Sequence, residues 1–452
     1  MSNQPSAKNI TLVLLHNDLR VTDNATLSKA VNLSSHGKLL LVYVPSLTDA
    51  LNKKRSCQAY DYDTMGDARQ RFLSESLTAL DASLRQLGNR LLYLQDNLAT
   101  SDIFTQLSEF IQQQQVTDIC VSQTADYDQN QVYQHLQAQN PQVRWHVQAT
   151  ATLFDALPLE DLPKSFTVFR KKIEANDDLL QAKDDMVIYP TPNSLPPLPE
   201  TLQNSREYFF AAPAFDEPTF NESSQQLSDF EGGEPNGLKH LEAYFDSDAP
   251  STYKMTRNAL DDWTHSTKFS AWLANGSLSV NMVLNRLRRY ERDIMANDST
   301  YWIWFELLWR EYFYWYAIAH QQKLFCFKGI APHSPSTQFN QKRLAQWKNG
   351  TTRYPIVNAC MNQLRRTGYM SNRGRQLVAS CFIHELGLDW RYGATYFEQH
   401  LIDYDVASNW GNWQYLAGVG ADPRGCRQFN LNKQTQQYDP KGEFIRKWQG
   451  EI

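Results

Sequence analysis

The stretch YWIWFELLWREYFYWYAIAH (Tyr301–His320) is the most apolar part of this 452-residue chain and decides the fold of its C-terminal half. It is rich in aromatic side chains, yet it also contains Glu306, Arg310 and Glu311. Ionised side chains are rare in helices that cross membranes, so the stretch predicts a buried helix without membrane contact. From about Leu238 onward, helical spacing dominates and β-rich runs disappear. The C-terminal domain is therefore predicted to be all-α.

The first third of the chain alternates strand-like and helix-like segments. Short runs rich in β-branched and aliphatic residues predict the strands Ile10–Leu15, Leu39–Val44, Leu91–Leu94, Asp118–Ser122 and Arg144–Val147. Helical patterns lie between several of them, notably Asp67–Leu87 and Ser101–Gln115. This alternation predicts an α/β domain with a doubly wound parallel sheet and helices on both faces.

A change of composition separates the two halves. The Pro-rich segment YPTPNSLPPLPE (Tyr189–Glu200) predicts an extended linker over the surface. The predicted organisation is an α/β domain over residues 1–150, an interdomain linker over 151–205 and an all-α domain over 206–452.

The bulk composition excludes several classes of protein. A formal net charge of −5 means that any contact with DNA must come from a local basic groove. The 6 cysteines show no CxxC spacing, which argues against a metal site and against a disulfide framework. The N-terminus MSNQPSAKN lacks an apolar signal core, so we expect a cytoplasmic protein.

Segments of the C-terminal half form a recognisable series. They are YKMTRN (Tyr253–Asn258), STKFSAWLANGSLS (Ser266–Ser279), ELLWREYFYW (Glu306–Trp315), YMSNRGRQLVAS (Tyr369–Ser380), DWRYGATYFE (Asp389–Glu398) and LIDYDVASNWGNWQYLAGVGADPRG (Leu401–Gly425). In this order they resemble the FAD-binding half of the photolyases and cryptochromes. The N-terminal LLHNDLRVTDN (Leu14–Asn24) is similar to the opening motif of that superfamily, although His16 stands where an Arg is usual.

Some features resemble one branch of the superfamily, the DASH cryptochromes. These features are the sequence MSNRGRQ, the segment SFTVFRKKIE (Ser165–Glu174), the tripeptide GGE (Gly232–Glu234) and Tyr415. Tyr415 stands where many dimer photolyases carry a second substrate-stacking Trp. The resemblance covers nearly the whole chain and implies FAD as the cofactor.

The first implied flavin contacts lie at the start of a predicted helix. A pyrophosphate needs backbone donors and hydroxyl groups, which a helix N-terminus offers. The resemblance implies that this region and an upstream tyrosine contact the cofactor through Tyr253, Ser266, Thr267, Lys268, Phe269 and Ser270. Ser and Thr are also ordinary helix caps, so this motif alone leaves both interpretations open.

Glu306, Trp309 and Arg310 have the spacing i, i+3 and i+4 and share one helix face. A carboxylate, a flat indole and a guanidinium suit a pocket that holds flipped bases. The resemblance implies that Glu306 faces the carbonyl of a pyrimidine dimer, that Trp309 and Tyr415 line the substrate cavity, and that Arg310 contacts the cofactor. The alternative is a Glu–Arg pair beside a core Trp.

A later helix carries Asn372 and Arg375 on one face. The resemblance implies that Arg375 pairs with Asp403 against the isoalloxazine ring, that Asp405 binds the flavin edge or the ribose, and that Asn372 and Asn409 lie beside the flavin. A structural buried salt bridge is the alternative explanation of Arg375 and Asp403.

Trp413 and Trp390 match the proximal and middle members of the superfamily's electron-hopping chain. The outer position is held by Thr337, which cannot play that part. Trp347 or a tyrosine could substitute, and the sequence does not decide between them.

The N-terminal domain raises the question of an antenna. Folate-antenna relatives use an Asn and a Glu near the segment that matches DYDQNQ (Asp126–Gln131). Asn130 corresponds to the Asn, whereas Gln131 replaces the carboxylate. The resemblance makes 5,10-methenyltetrahydrofolate a candidate antenna, and a solvent-facing helix start is the alternative.

The resemblance implies a blue-light enzyme that splits cyclobutane pyrimidine dimers, mainly in single-stranded DNA, because an unpaired dimer costs less to flip. RNA is a second candidate partner, and we expect a monomer. Basic residues that could contact phosphates are Lys254, Arg257, Lys342, Arg343, Arg365, Arg366, Arg424 and Arg427. Two alternatives stay open: a photoreceptor that binds nucleic acid or a regulatory protein, and a light-independent electron carrier.

Overall fold

A computed structural model describes residues 9–45, 65–94, 103–157, 159–176, 189–203, 206–211, 230–421 and 427–450. The N-terminal part is a parallel sheet in the order β3-β2-β1-β4-β5. Its strands are β1 (Ile10–Leu15), β2 (Lys38–Tyr43), β3 (Leu91–Tyr93), β4 (Asp118–Ser122) and β5 (Arg144–Gln148). The helices in this part are α1 (Ala25–Leu33), α2 (Asp67–Gln86), α3 (Ile103–Gln113) and α4 (Tyr127–Gln139). The predicted strands and the α/β class are confirmed.

Both faces of the sheet are covered, as the sequence predicts for parallel strands. Alternate residues of β1 enter different hydrophobic clusters: Leu12 and Leu14 pack in one, Val13 and Leu15 in the other. The register pairs Leu12 with Leu40 of β2 and with Ile119 of β4. The sheet is therefore a doubly wound layer between two layers of helix.

The region 151–205, predicted as an interdomain linker, contains helical segments besides the Pro-rich stretch Tyr189–Glu200, for which an extended chain was predicted. Helix α5 (Phe166–Glu174) forms inside it, followed by the single turn α6 (Glu200–Gln203). The Pro-rich stretch does stay extended, but it packs against the sheet: Leu195 N donates to Leu87 O, and Leu39 N donates to Pro197 O. Its leucines enter the sheet core because the prolines hold the chain extended without needing backbone donors.

The C-terminal part is helical, which confirms the all-α prediction. Its helices are α7 (Glu234–Phe245), α8 (Ala249–Thr256), α9 (Ser270–Ala274), α10 (Val280–Asp293), α11 (Asp298–His320), α12 (Gln341–Lys348), α13 (Pro355–Thr367), α14 (Asn372–Ser380), α15 (Trp390–His400), α16 (Val406–Leu416), α17 (Leu431–Tyr438) and α18 (Glu443–Lys447). A π-helical turn, Cys381–Glu385, extends α14. In the part of the chain that the structure describes, no helix combines the length and apolar character needed to span a bilayer.

Helix α11 is the central helix of this domain. It begins after Asn297, whose side chain accepts hydrogen bonds from the backbone N–H groups of Ser299 and Thr300, while the Thr300 hydroxyl accepts one from Asn297. This capping box fixes where the helix starts. The first turn is therefore held in place, and so is the face that carries Glu306.

Buried polar groups join the two parts of the molecule. The fully buried Arg20 donates to the carbonyl oxygen of Gly276 at 2.9 Å, and Glu234 accepts from the N–H of Val21 at 2.8 Å. Gly276 has a φ of +74°, and a Cβ there would lie 2.1 Å from the Asn17 carbonyl oxygen. The close approach of the two backbones therefore requires glycine at this position.

Candidate flavin and substrate cavity

A cavity of about 460 Å³ opens in the helical domain. Helices α11, α14 and α16 supply most of its walls. Its lining includes Arg257, Ser270, Phe305, Glu306, Trp309, Arg310, Asn372, Arg375, Gln376, Asp403, Asp405, Asn409, Trp413, Tyr415 and Arg427. Most of the predicted cofactor and substrate residues therefore share one cavity, although they come from segments far apart in sequence.

Glu306 forms an ion pair with Arg257 on the cavity wall. Burial raises the pKa of the Glu306 carboxyl above its ordinary value, and the Arg257 guanidinium opposes that shift. The sequence suggested Arg257 only as a phosphate contact, and its place in the cavity was missed. Its position on α8, one turn after Tyr253, was the available signal, but the pattern of α8 alone does not show which element its face meets.

Trp309 lies within a group of aromatic rings. Phe166 of α5 stacks on it with ring centroids 3.8 Å apart and planes at 13°, and Tyr415 meets it edge-on at 6.0 Å. One face of the indole that was predicted to stack on a base is thus already covered. Phe166 belongs to the segment that resembles the DASH branch, but no role was predicted for it from the sequence.

The predicted pair of Arg375 and Asp403 is present. Arg375 Nη2 lies 2.9 Å from Asp403 Oδ1 and 2.7 Å from Oδ2, and its Nε donates to the Met370 carbonyl. The Ser270 hydroxyl donates to Asp403 Oδ2 at 2.7 Å. Asp403 therefore positions both a cation and a hydroxyl at the same wall of the cavity.

The remaining predicted contacts on α11 and α16 are held by neighbouring backbone. Asp405 caps α16 by accepting from Ser408 N, and Asn409 Nδ2 donates to the Ala394 carbonyl at 3.0 Å. Arg310 donates to the Ala151 carbonyl at 2.5 Å. All three side chains also line the cavity.

Among the predicted contacts Ser266–Ser270, only the first residue of α9, Ser270, lines the cavity. Ser270 lines the cavity, whereas Phe269 is 2% exposed and packs in the hydrophobic core. Thr267 O accepts a hydrogen bond from His240, and buried Lys268 lies 4.9 Å from the ring of Tyr369. The predicted contacts of Ser266, Thr267, Lys268 and Phe269 with a cofactor stay predictions.

Tyr253 lies buried on α8 near the cavity wall. Burial raises the pKa of its phenol well above the ordinary value, and the charge of Glu306 adds to this shift. A contact of Tyr253 with a cofactor remains a prediction.

Trp413 lines the cavity, and its ring lies 6.3 Å from that of Trp347, nearly perpendicular to it. Trp390 is fully buried, donates to the Phe327 carbonyl and packs on Trp410 with ring centroids 5.8 Å apart. The residue after Thr337 forms a bridge to Leu388, two positions before Trp390. Thr337 therefore lies near the start of the helix that carries Trp390, and the outer step of the electron route stays a prediction.

Asn130 lies in the first turn of α4. Its side-chain amide donates to the Thr124 carbonyl, and Gln131 donates to Gln134 on the exposed surface. These bonds are local to the start of the helix. The folate antenna stays a prediction.

The predicted phosphate contacts have different surroundings. Arg427 lies 4.8 Å from the Tyr415 ring at the cavity wall. By contrast, Arg343 donates to the Leu386 carbonyl, and Arg365 and Arg366 donate to neighbouring amide oxygens. Arg424 lies outside the described residues. Among the predicted phosphate contacts that the structure describes, Arg257 and Arg427 therefore line the cavity.

The lining of the cavity fits a flavin. A flat heteroaromatic ring with polar edges needs apolar walls and fixed donors, and Trp413 and Phe397 provide walls while Arg375, Asn372 and Asn409 provide donors. The Ser270 and Ser408 hydroxyls suit the ribityl and phosphate groups. FAD, when bound, supplies the redox chemistry, and these are the residues that would hold and orient it.

Removing the Asp403 carboxylate tests the importance of the buried pair. Asp403→Ala leaves Arg375 without its partner, because the Asp403 side chain is 2% exposed and holds both guanidinium contacts. We expect a loss of about 3 kcal/mol in the free energy of unfolding and loss of the yellow colour. Urea denaturation followed by circular dichroism measures the first effect. Asp293→Ala removes an exposed ion pair instead and should leave both unchanged; equal effects in the two variants would contradict the prediction.

Two families match most of the chain. Residues 11–193 match DNA photolyase, and residues 302–452 match the FAD binding domain of DNA photolyase. The second match contains Glu306, Arg375, Asp403 and Trp413, which line the cavity. The cavity therefore lies in an FAD-binding domain.

Similar proteins agree along their whole length. Cryptochrome DASH of Vibrio parahaemolyticus is 49% identical and covers 98% of this chain and 94% of its own; that of Idiomarina loihiensis is 48% identical, with 98% and 93% covered. The solved cryptochrome of Synechocystis has a TM-score of 0.84 at 35% identity, covering 98% of this chain and 89% of its own. A class III photolyase of Agrobacterium tumefaciens has a TM-score of 0.77 at 25% identity, covering 99% and 88%. The chain therefore belongs to the DASH cryptochromes, FAD-binding members of the photolyase and cryptochrome superfamily.

Proposed function

We propose that this protein splits cyclobutane pyrimidine dimers in DNA under blue light, with preference for single-stranded DNA. The observation that carries the proposal is that Glu306 and Trp309 line the same cavity as the Arg375–Asp403 pair. A substrate beside Glu306 would then lie next to the flavin site. Reduced FAD, when bound and excited by light, supplies the electron that opens the dimer.

The side chains around Glu306 have separate tasks in this proposal. The Glu306 carboxyl hydrogen-bonds a base carbonyl, and Arg257 holds that carboxyl in place. Trp309 and Tyr415 form the walls against which the flipped bases lie. A tyrosine offers a smaller stacking surface than a second indole, so the saving from an already unpaired dimer matters more.

The test is illumination of the reduced, FAD-loaded protein with an oligonucleotide that contains one thymine dimer. We expect the dimer to disappear from the single strand faster than from the duplex. Recovery of the ultraviolet absorbance of thymine, which returns when the C5=C6 double bonds of the two bases re-form, measures the reaction. A protein that holds fully reduced FAD but leaves the single-stranded dimer intact under light would refute the repair function and favour a photoreceptor.

A further inference from the structure

The face of α11 that carries Glu306 continues toward the surface. Trp302 precedes Phe305 by three residues and Glu306 by four, so Trp302 lies on the same stripe of the helix as each of them, one turn earlier. Phe305 lines the cavity, and Trp302 lies one turn nearer the helix start, where the Asp298 side chain is 85% exposed. The stripe thus leads from the cavity to solvent.

Aromatic rings follow this stripe without a break. Trp302 stacks on Phe305 with ring centroids 4.6 Å apart, and Phe305 meets Phe166 edge-on at 5.0 Å. Phe166 in turn stacks on Trp309 inside the cavity. We call Trp302 and Phe305 the rim platform. It is continuous with the substrate wall.

Cations from two other helices surround the rim platform. Lys254 Nζ and Arg257 Cζ lie 5.1 Å and 5.2 Å from the Trp302 ring, and Arg170 Cζ lies 5.6 Å from Phe305. Lys254 pairs with Asp298, but both side chains are exposed, so that pair is weak and a phosphate can compete for the lysine. The other two cations are also paired, Arg257 with Glu306 and Arg170 with Glu174, so Lys254, in the most exposed of the three pairs, is the cation that a phosphate reaches most easily.

Aromatic rings interleaved with cations suit a single nucleic-acid strand. Each unpaired base has a free π-face for stacking, and its phosphate takes a nearby cation. In a duplex the base faces are stacked inside the helix and the rings cannot reach them. We propose that the rim platform and Lys254 bind the unpaired nucleotide next to the dimer in a single DNA strand. This inference rests on the proposed function.

The test measures binding in the dark to an undamaged, fluorescein-labelled oligothymidylate, by anisotropy at several salt concentrations, with the FAD-loaded protein. We expect Trp302→Leu to weaken binding about tenfold, the loss of one base stack. Lys254→Gln should lower the slope of log affinity against log salt by about 0.7, the loss of one phosphate contact. Duplex binding should stay unchanged in Trp302→Leu.

Matched controls lie on other surfaces. Phe339→Leu removes an exposed ring that packs on Tyr392, and Lys441→Gln removes an exposed lysine that pairs with Glu443. Both should bind the oligonucleotide as the unchanged protein does. Wild-type affinity in Trp302→Leu, together with an unchanged salt slope in Lys254→Gln, would overturn the proposal. It would also be overturned if the variants lost affinity for an RNA strand and not for the oligothymidylate.

This outcome is separable from the repair reaction, since undamaged DNA is bound without light. If the unchanged protein repairs no dimer but both variants bind the single strand more weakly than it does, the proposal for the rim platform stands. Only the proposed enzymatic function then fails. Lys254 is exposed, so its replacement does not threaten folding.

Discussion

Replacing Trp413 with Phe is expected to abolish photoreduction of the bound FAD. Trp413 is 2% exposed, lines the cavity and packs against Trp347, so it can pass an electron to the flavin site and draw one from a second indole. A phenyl ring fills the space but is much harder to oxidise. Absorbance of oxidised flavin under blue light, with a thiol as the final electron donor, measures the effect.

The control for this prediction is a Trp that matches Trp413 in burial. Trp304 is 3% exposed on α11 and packs near Arg288, away from the cavity lining. Trp304→Phe should photoreduce at the wild-type rate. Fast photoreduction in Trp413→Phe would show that the electron enters by another residue.

Two tryptophans are candidates for the residue that passes an electron to Trp413. The superfamily's pattern assigns the next step to Trp390, but Thr337 offers no oxidisable ring beyond it. Trp347 contacts Trp413 directly and continues to Tyr396, with ring centroids 5.5 Å apart. We therefore expect Trp390→Phe and Trp347→Phe each to slow photoreduction in part.

The double variant shows whether electrons reach Trp413 through both tryptophans or through only one of them. With Trp390 and Trp347 both replaced by Phe, photoreduction should fall to the level of Trp413→Phe. If the Trp390→Phe variant alone photoreduces as slowly as Trp413→Phe, Trp347 takes no part in the electron transfer. Time-resolved absorption of the tryptophan radical gives an independent readout, because it follows the oxidised side chain rather than the flavin.

Local patterns in the sequence were sufficient to predict the fold. The strands Ile10–Leu15 and Asp118–Ser122 have the predicted bounds, because buried parallel strands are continuous apolar runs. Helix Asp67–Gln86 ends one residue before its predicted end. Periodicity fixes such elements without reference to the rest of the chain.

The candidate site was only partly predictable because its contacts join distant segments. Phe166 stacks on a residue 143 positions later in the chain, and no local pattern signals that contact. Arg257 was assigned to phosphate because its charge is visible in the sequence, whereas its partner Glu306 becomes visible only when α8 packs on α11. The rim platform was missed for the same reason, since its cations come from α5 and α8.

Replacing Glu306 with Ala is expected to reduce dimer repair about 100-fold while the protein stays yellow. The carboxyl is the acidic group paired with Arg257 at the proposed substrate end of the cavity, whereas the Arg375–Asp403 pair lies at the proposed flavin end. Loss of the carboxyl removes the hydrogen bond to the base and leaves Arg257 without its partner. Repair yield at saturating single-stranded substrate, with FAD content from visible absorbance, measures both effects.

Two further variants show which property of Glu306 matters. Glu306→Gln keeps a hydrogen-bonding side chain of the same size and removes only the charge, so activity between wild type and Glu306→Ala would mean that the hydrogen bond contributes independently of the charge. Glu242→Ala breaks a comparable Glu–Arg pair with Arg286 outside the cavity lining and should repair normally.

Because burial raises the pKa of Glu306, the carboxyl takes up its proton at a higher pH than an exposed glutamate would. The difference between wild type and Glu306→Gln should therefore shrink as the pH falls through that raised pKa, and a constant difference at every pH would show that the charge of Glu306 plays no part in repair.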